Sequence, residues 1–153
     1  MWALTLALTL SSGPAVGAKA GPYSFLVATG PDRGQPTCCV CAQEDNPTAI
    51  VFARTLSDPA GKLMASLDAE TAKRTDGFKA WLTLVTETAD LDALATWGQK
   101  HALKRSPVGA FENLDGPPAY KLTRDADVTV VLFVKRKVTA TFAFKPGELT
   151  AGS

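Results

Sequence analysis

The chain has 153 residues, of which 46% are hydrophobic and 20% charged, and 16 Lys and Arg against 15 Asp and Glu leave a net charge of +1. This composition is that of an ordinary globular domain and excludes a largely disordered chain. The near-neutral charge and the scattered basic residues give no extended positive field. Nucleic acid is therefore not an expected partner.

The first twenty residues differ from the rest in composition. Residues 2–9 are apolar apart from hydroxyl groups, no acidic residue occurs before Gly21, and Ala18-Lys19-Ala20 is the small-x-small pattern that precedes a signal peptidase cut. We therefore expect residues 1–20 to be a signal peptide and the protein to be exported, to the periplasm or the extracellular space. The apolar stretch is too short for a stable membrane span. The positively charged start usual in a signal peptide is missing, so either the true start lies upstream of Met1 or the stretch is only a frayed terminus.

The three cysteines lie together as Cys38, Cys39 and Cys41, within a predicted N-terminal segment over residues 21–47. In an oxidising compartment they form at most one intramolecular bridge and leave one thiol. Cys38 and Cys41 have the C-x-x-C spacing of a catalytic thiol–disulfide exchange pair, with Cys39 as a resolving or spare thiol. A bridge of Cys38 to Cys41, or one that contains Cys39, could equally be structural.

Metal binding is the third use open to these cysteines. The sulfurs of Cys38, Cys39 and Cys41 are soft ligands that favour Cu(I) over harder ions. Zinc needs four ligands, so a zinc site would require His101 to fold back toward the cysteines. His101 follows a predicted helix among basic residues, where a cation at the helix end is the simpler interpretation.

Strand and helix signals alternate after the cysteines. Residues 49–54 form a short apolar run that predicts a buried central strand, and residues 78–85 predict a second strand. Between them, a cap at Ser57 or Asp58 and apolar residues at helical spacing predict a helix that ends near residues 73–74. A further helix is expected to begin after Asp90, with Leu91, Leu94, Ala95 and Ala102 facing inward, and to end before Pro107.

The last third of the chain reads as strands. A short strand is expected at residues 108–111, and residues 129–134 and 138–144 should form a β-hairpin. The link Lys135-Arg136-Lys137 lacks the Gly or Asn of a tight turn, so one of its residues is expected to have a positive φ. This order of elements predicts an α/β fold, a mixed sheet flanked by helices.

With this layout the chain resembles the thioredoxin-like superfamily from Thr48 to Phe144, and most of all its peroxiredoxin-like branch, with Gly116-Pro117-Pro118 ahead of the strand at residue 128. The run over residues 46–54, preceded by Cys38-x-x-Cys41, is also similar to exported bacterial thioredoxin-domain proteins. The resemblance implies a thioredoxin-like domain over residues 48–153. The C-terminal closing helix usual in that superfamily is expected to be missing.

The chain departs from the superfamily at its usual site. Thioredoxins carry their C-x-x-C where the central strand enters its helix, and here that junction, residues 54–59, contains no cysteine. Val128 stands where the facing cis-proline is expected. We therefore predict a non-standard redox or Cu(I)-handling function at Cys38, Cys39 and Cys41, with protein thiols or an extracytoplasmic partner protein as partners. The alternative is a non-catalytic binding module with a structural disulfide.

Overall fold

The computed structural model describes residues 12–146. Within them lie seven strands and three α-helices. The strands are β1 (Phe25–Val27), β2 (Pro36–Thr37), β3 (Thr48–Ala53), β4 (Lys79–Val85), β5 (Val108–Phe111), β6 (Val128–Val134) and β7 (Lys137–Phe144), and the helices are α1 (Cys39–Gln43), α2 (Asp58–Lys73) and α3 (Leu91–Lys100). A short 3₁₀ helix spans Pro118–Tyr120.

All seven strands form one mixed sheet in the order β2-β1-β5-β4-β3-β6-β7. The three central strands β5, β4 and β3 are parallel, and the strands on both sides of them are antiparallel. Helices α2 and α3 make the crossovers that parallel strands require. The predicted α/β architecture is confirmed. Strands β1 and β2, which lie inside the predicted N-terminal segment, belong to the same sheet.

Two apolar layers enclose the sheet. Because every residue of β3 is buried, its alternating side chains supply both layers. On one face, Met64 of α2 and Leu94 of α3 pack against Val51 and Leu82. The opposite face is rich in aromatic side chains and is covered by α1 and by the chain that leads into β1; it contains Tyr23, Phe25, Phe52, Trp81, Tyr120 and Phe133.

Helix α2 begins and ends as predicted, with the Ser57 side chain accepting a hydrogen bond from the Ala60 N–H. Helix α3 begins after Asp90 as predicted but ends at Lys100. Ala102 has φ 57° and is exposed, so the prediction that it faces inward is wrong. The Ala102 and Leu103 N–H groups bond the Gln99 and Gly98 carbonyls, the pattern that closes a helix with a left-handed residue.

The predicted hairpin of β6 and β7 is confirmed. Its turn has two central residues, and both Lys135 and Arg136 have positive φ, at 54° and 62°. One such residue was expected. Positive φ at both central residues is the conformation of a type I′ turn, one of the two turn types that match the twist of the strands, and this accounts for the second.

Residues 12–20 of the predicted signal peptide pack on the last two strands. Ser12 Oγ lies 2.8 Å from Thr129 Oγ1, the Gly17 N–H donates to the Val138 carbonyl, and Ala20 is buried. Residues 1–11 lie outside the described range. So do residues 147–153, where a closing helix would begin, and Lys145 and Pro146 after β7 are not helical. Between residues 12 and 146, no helix has the length and apolar character to cross a membrane.

Candidate functional site

Cys38 and Cys41 form a disulfide at the start of α1, with their Cα atoms 5.4 Å apart. Cys38 is the residue that caps the helix, and its Sγ accepts a hydrogen bond of 3.2 Å from the Cys41 N–H. Cys41 is exposed and Cys38 is half-buried. Of the pairings that the sequence left open, the structure therefore contains the C-x-x-C pair, with one of its two residues facing solvent.

Helix α1 is held against the sheet by Val40 and Gln43, which are both buried. Val40 packs into the aromatic layer. The Gln43 Nε2 lies 2.9 Å from Thr48 Oγ1, 3.1 Å from the Pro47 carbonyl and 3.2 Å from the Gly77 carbonyl. This amide thus joins α1 to the start of β3 and to the turn before β4. Sequence reasoning missed Gln43, because a single glutamine belongs to no hydrophobic period.

Cys39 keeps a free thiol and is half-buried. Burial, and secondarily the nearby carboxylate of Asp32, raise the pKa of Cys39 to about 11, while Lys79 acts in the opposite direction. Because only the thiolate is nucleophilic, Cys39 is a poor attacking group at neutral pH. The chemistry of the pair therefore belongs to Cys38 and Cys41, and Cys39 lies beside them as a neutral thiol.

The structure does not bring a metal site together in this state. The disulfide uses two of the three sulfurs, and residues 12–146 contain no group of three or more His, Cys, Asp or Glu side chains placed to hold a metal ion. His101 packs at the start of α2, with its Nε2 3.6 Å from an Asp58 oxygen and its ring on Gly61. It lies on the face of the sheet opposite α1, and the zinc donor set is not assembled.

The disulfide and the start of α2 lie at opposite ends of β3. Helix α1 precedes the amino end of this strand, and α2 follows its carboxyl end. Six residues at about 3.3 Å each separate the two ends by roughly 20 Å. The prediction that the cysteines are displaced from the junction between the central strand and its helix is confirmed.

Arg54 lies at the carboxyl end of β3, where thioredoxins carry their catalytic cysteines. Its guanidinium donates to the carbonyls of Leu114, Thr123 and Ala126 at 2.6, 3.1 and 3.1 Å. The peptide bond before Val128 is trans, as are all those of residues 12–146. The polar contacts at this end of the sheet therefore hold the structure together and show no catalytic group. Arg54 is a second residue that sequence reasoning did not single out.

Comparison with known proteins identifies the fold. No family model and no curated protein matches the chain. Among solved structures it is similar to a candidate thiol:disulfide interchange protein DsbE from Chlorobium tepidum, with TM-score 0.67, 16% identity and coverage of 90% of this chain and 92% of that one.

Two further solved structures have the same fold. A thiol-disulfide oxidoreductase from Bacteroides fragilis gives TM-score 0.59 at 17% identity, covering 81% of this chain and 89% of that one. A thiol peroxidase from Chromobacterium violaceum gives TM-score 0.59 at 12% identity, covering 89% and 80%. The chain therefore has the thioredoxin-like fold, in a peroxiredoxin-like layout, with its disulfide at the amino end of the central strand.

Proposed function

We propose that the protein exchanges electrons with protein thiols through the Cys38–Cys41 disulfide. The observation that carries this proposal is a C-x-x-C disulfide on the surface, with Cys41 exposed to an incoming thiol. The names of similar structures, a thiol-disulfide oxidoreductase among them, support the same chemistry.

The small size of the bridged loop also supports a chemical role. Cys38 and Cys41 are three positions apart, so the bridge closes a loop of four residues. In the chain-entropy model such a loop stabilises the fold by only about 2 kcal/mol, against about 4.7 kcal/mol for a loop of about 100 residues. A seven-stranded sheet with two apolar layers gains little from this bridge.

The proposed reaction is a pair of thiol–disulfide exchanges. A thiolate of a partner dithiol attacks the Cys41 sulfur, the Cys38–Cys41 bond breaks, and Cys38 leaves as a thiolate that the Cys41 N–H can stabilise by hydrogen bonding. The second partner thiolate then attacks the mixed disulfide and releases Cys41. The partner loses two electrons and becomes a disulfide, while this protein gains two electrons and two protons as a dithiol. The reverse direction reduces a partner disulfide.

The test is direct titration of the folded protein against a dithiol. We expect dithiothreitol and a dithiol peptide to reduce the pair without unfolding the chain, as followed by alkylation of the released thiols and mass spectrometry. A Cys39→Ser variant is the matched control and should react at the same rate. A disulfide that resists both reductants until the protein unfolds would contradict the proposal. It would support the non-catalytic binding module, which the displaced position of the disulfide also favours.

Export and copper handling are proposals of the same kind. An oxidising compartment would keep the Cys38–Cys41 pair bridged, which agrees with export. Sequencing the N-terminus of native material tests export, because a mature chain that begins at Met1 would contradict it.

Copper binding concerns the reduced protein. Reduction would release two sulfurs beside Cys39, and three thiolates suit Cu(I). Elemental analysis tests copper binding, by comparing the unmodified protein with a variant that lacks the three cysteines, both purified anaerobically.

A further inference from the structure

A cleft adjoins the disulfide at Cys39. It consists of two neighbouring depressions of about 170 and 220 Å³, and Cys39, Thr37, Asp32, Arg105 and Pro107 line both of them. Cys39 follows Cys38 directly in the chain, so an occupant of this Cys39 cleft lies next to the reactive bridge. The inference below rests on the proposed exchange function and concerns the partner of that same site.

The rim of the Cys39 cleft is positively charged. Lys79 and Arg105 are exposed on its walls, and Lys104 joins them on one side, against the single carboxylate of Asp32. Neither Lys79 nor Arg105 forms an ion pair with any carboxylate of residues 12–146. Elsewhere in the same range, Arg33, Arg74, Lys100 and Arg124 are paired with aspartates. The free cations of the rim are therefore available to an external anion.

Part of the cleft wall is apolar. Trp81 and Val27, which are both buried, contribute to it together with Pro107. Depressions of about 170 and 220 Å³ are large enough to take side chains of a peptide. Apolar wall residues beside a cationic rim fit a peptide that carries an apolar residue flanked by carboxylates.

We propose that the Cys39 cleft selects protein partners whose reacting cysteine lies in an acidic segment, with Lys79 and Arg105 pairing with the partner's carboxylates. Opposite charges on the rim of an interface raise the rate of encounter, and salt screens that effect. Acidic dithiol substrates should therefore reduce Cys38–Cys41 faster than basic ones, and the difference should fall with ionic strength.

The experiment uses two dithiol peptides of equal length that differ only in having glutamates or lysines around their cysteines. Flanking charges also change the reactivity of the peptide thiols, so each rate is divided by the rate of the same peptide with a small neutral disulfide. We expect the normalised rate of reduction of the full protein to be about tenfold higher for the acidic peptide at low salt, and nearly equal for both at about 0.5 M salt.

Charge reversal supplies the matched comparison. Lys79→Glu with Arg105→Glu should invert the preference for the acidic peptide. Lys62→Glu with Lys121→Glu makes the same charge change at the carboxyl end of β3 and should leave the preference unchanged. If the first variant does not fold, the salt dependence of the unmodified protein decides. Equal normalised rates at low salt would overturn the acidic-partner inference and leave the exchange function standing, whereas failure of both peptides to reduce the disulfide would overturn the exchange function itself.

Discussion

Removal of the Cys38–Cys41 bridge should cost this protein little stability. In the double variant Cys38→Ser with Cys41→Ser, serine at position 38 keeps an acceptor for the backbone N–H at position 41, so the cap of α1 survives. Cys41 is exposed, and its replacement therefore leaves no cavity. The loss is then the entropy of a four-residue loop, about 2 kcal/mol, or about 4–8 °C in Tm for a chain of this length.

Urea and thermal unfolding, followed by circular dichroism, measure this loss. Dithiothreitol should lower the stability of the unmodified protein by the same amount, and it should do so equally in Cys39→Ser, which keeps the bridge. The double variant should not respond to the reductant. A loss of more than about 4 kcal/mol, or failure to fold, would refute the reasoning, because the bridge would then be a structural requirement.

Three other outcomes follow from contacts described above. With a pKa of about 11, Cys39 should be alkylated at pH 8 roughly 100-fold more slowly than an ordinary cysteine, and a rate like that of a free thiol would contradict this. The contribution of Cys39 to stability is present below pH 9 and is lost as the pH rises through 11. Gln43→Met should lower the free energy of unfolding by about 1–3 kcal/mol, since it removes the amide that donates to the Thr48 hydroxyl and the Gly77 carbonyl, whereas the Pro47 carbonyl keeps the Lys79 N–H. An unchanged urea midpoint would argue against that role. A chain that begins at Gly21 should be about 2–4 kcal/mol less stable than one that begins at Ser12, because it loses the backbone bonds to Arg136 and Val138; equal melting curves would show that residues 12–20 do not pack there.

The central elements were predictable because their patterns are strong. The apolar run of β3, the Ser57 cap with the helical spacing of α2, and the paired runs of β6 and β7 each follow one rule of local structure. Helix α1 was not predictable in this way, since its five residues are too few to show a period. The early end of α3 was missed because alanine, rather than glycine, occupies the left-handed position at residue 102.

The sequence predicted where the candidate site lies but decided neither the disulfide pairing nor the charges around it. The spacing of the cysteines identified the residues, and the absence of cysteine at residues 54–59 placed them away from the usual junction. The pairing depends on a turn of helix, which brings Cys38 and Cys41 together and leaves Cys39, half-buried, with a free thiol. The charges around Cys39 come from β4 and from the loop after α3, and only the folded chain brings these distant segments together.

One polar side chain donates to three oxygens at each end of β3, Gln43 at the amino end and Arg54 at the carboxyl end. We expect a strand held in this way at both ends to keep its conformation when α1 changes. Opening of α1 on reduction should therefore speed amide hydrogen exchange in residues 38–44 and leave the exchange rates in residues 114–126 unchanged. Such mechanical isolation would let one terminus of the strand change its chemistry over evolutionary time while the other retained its shape.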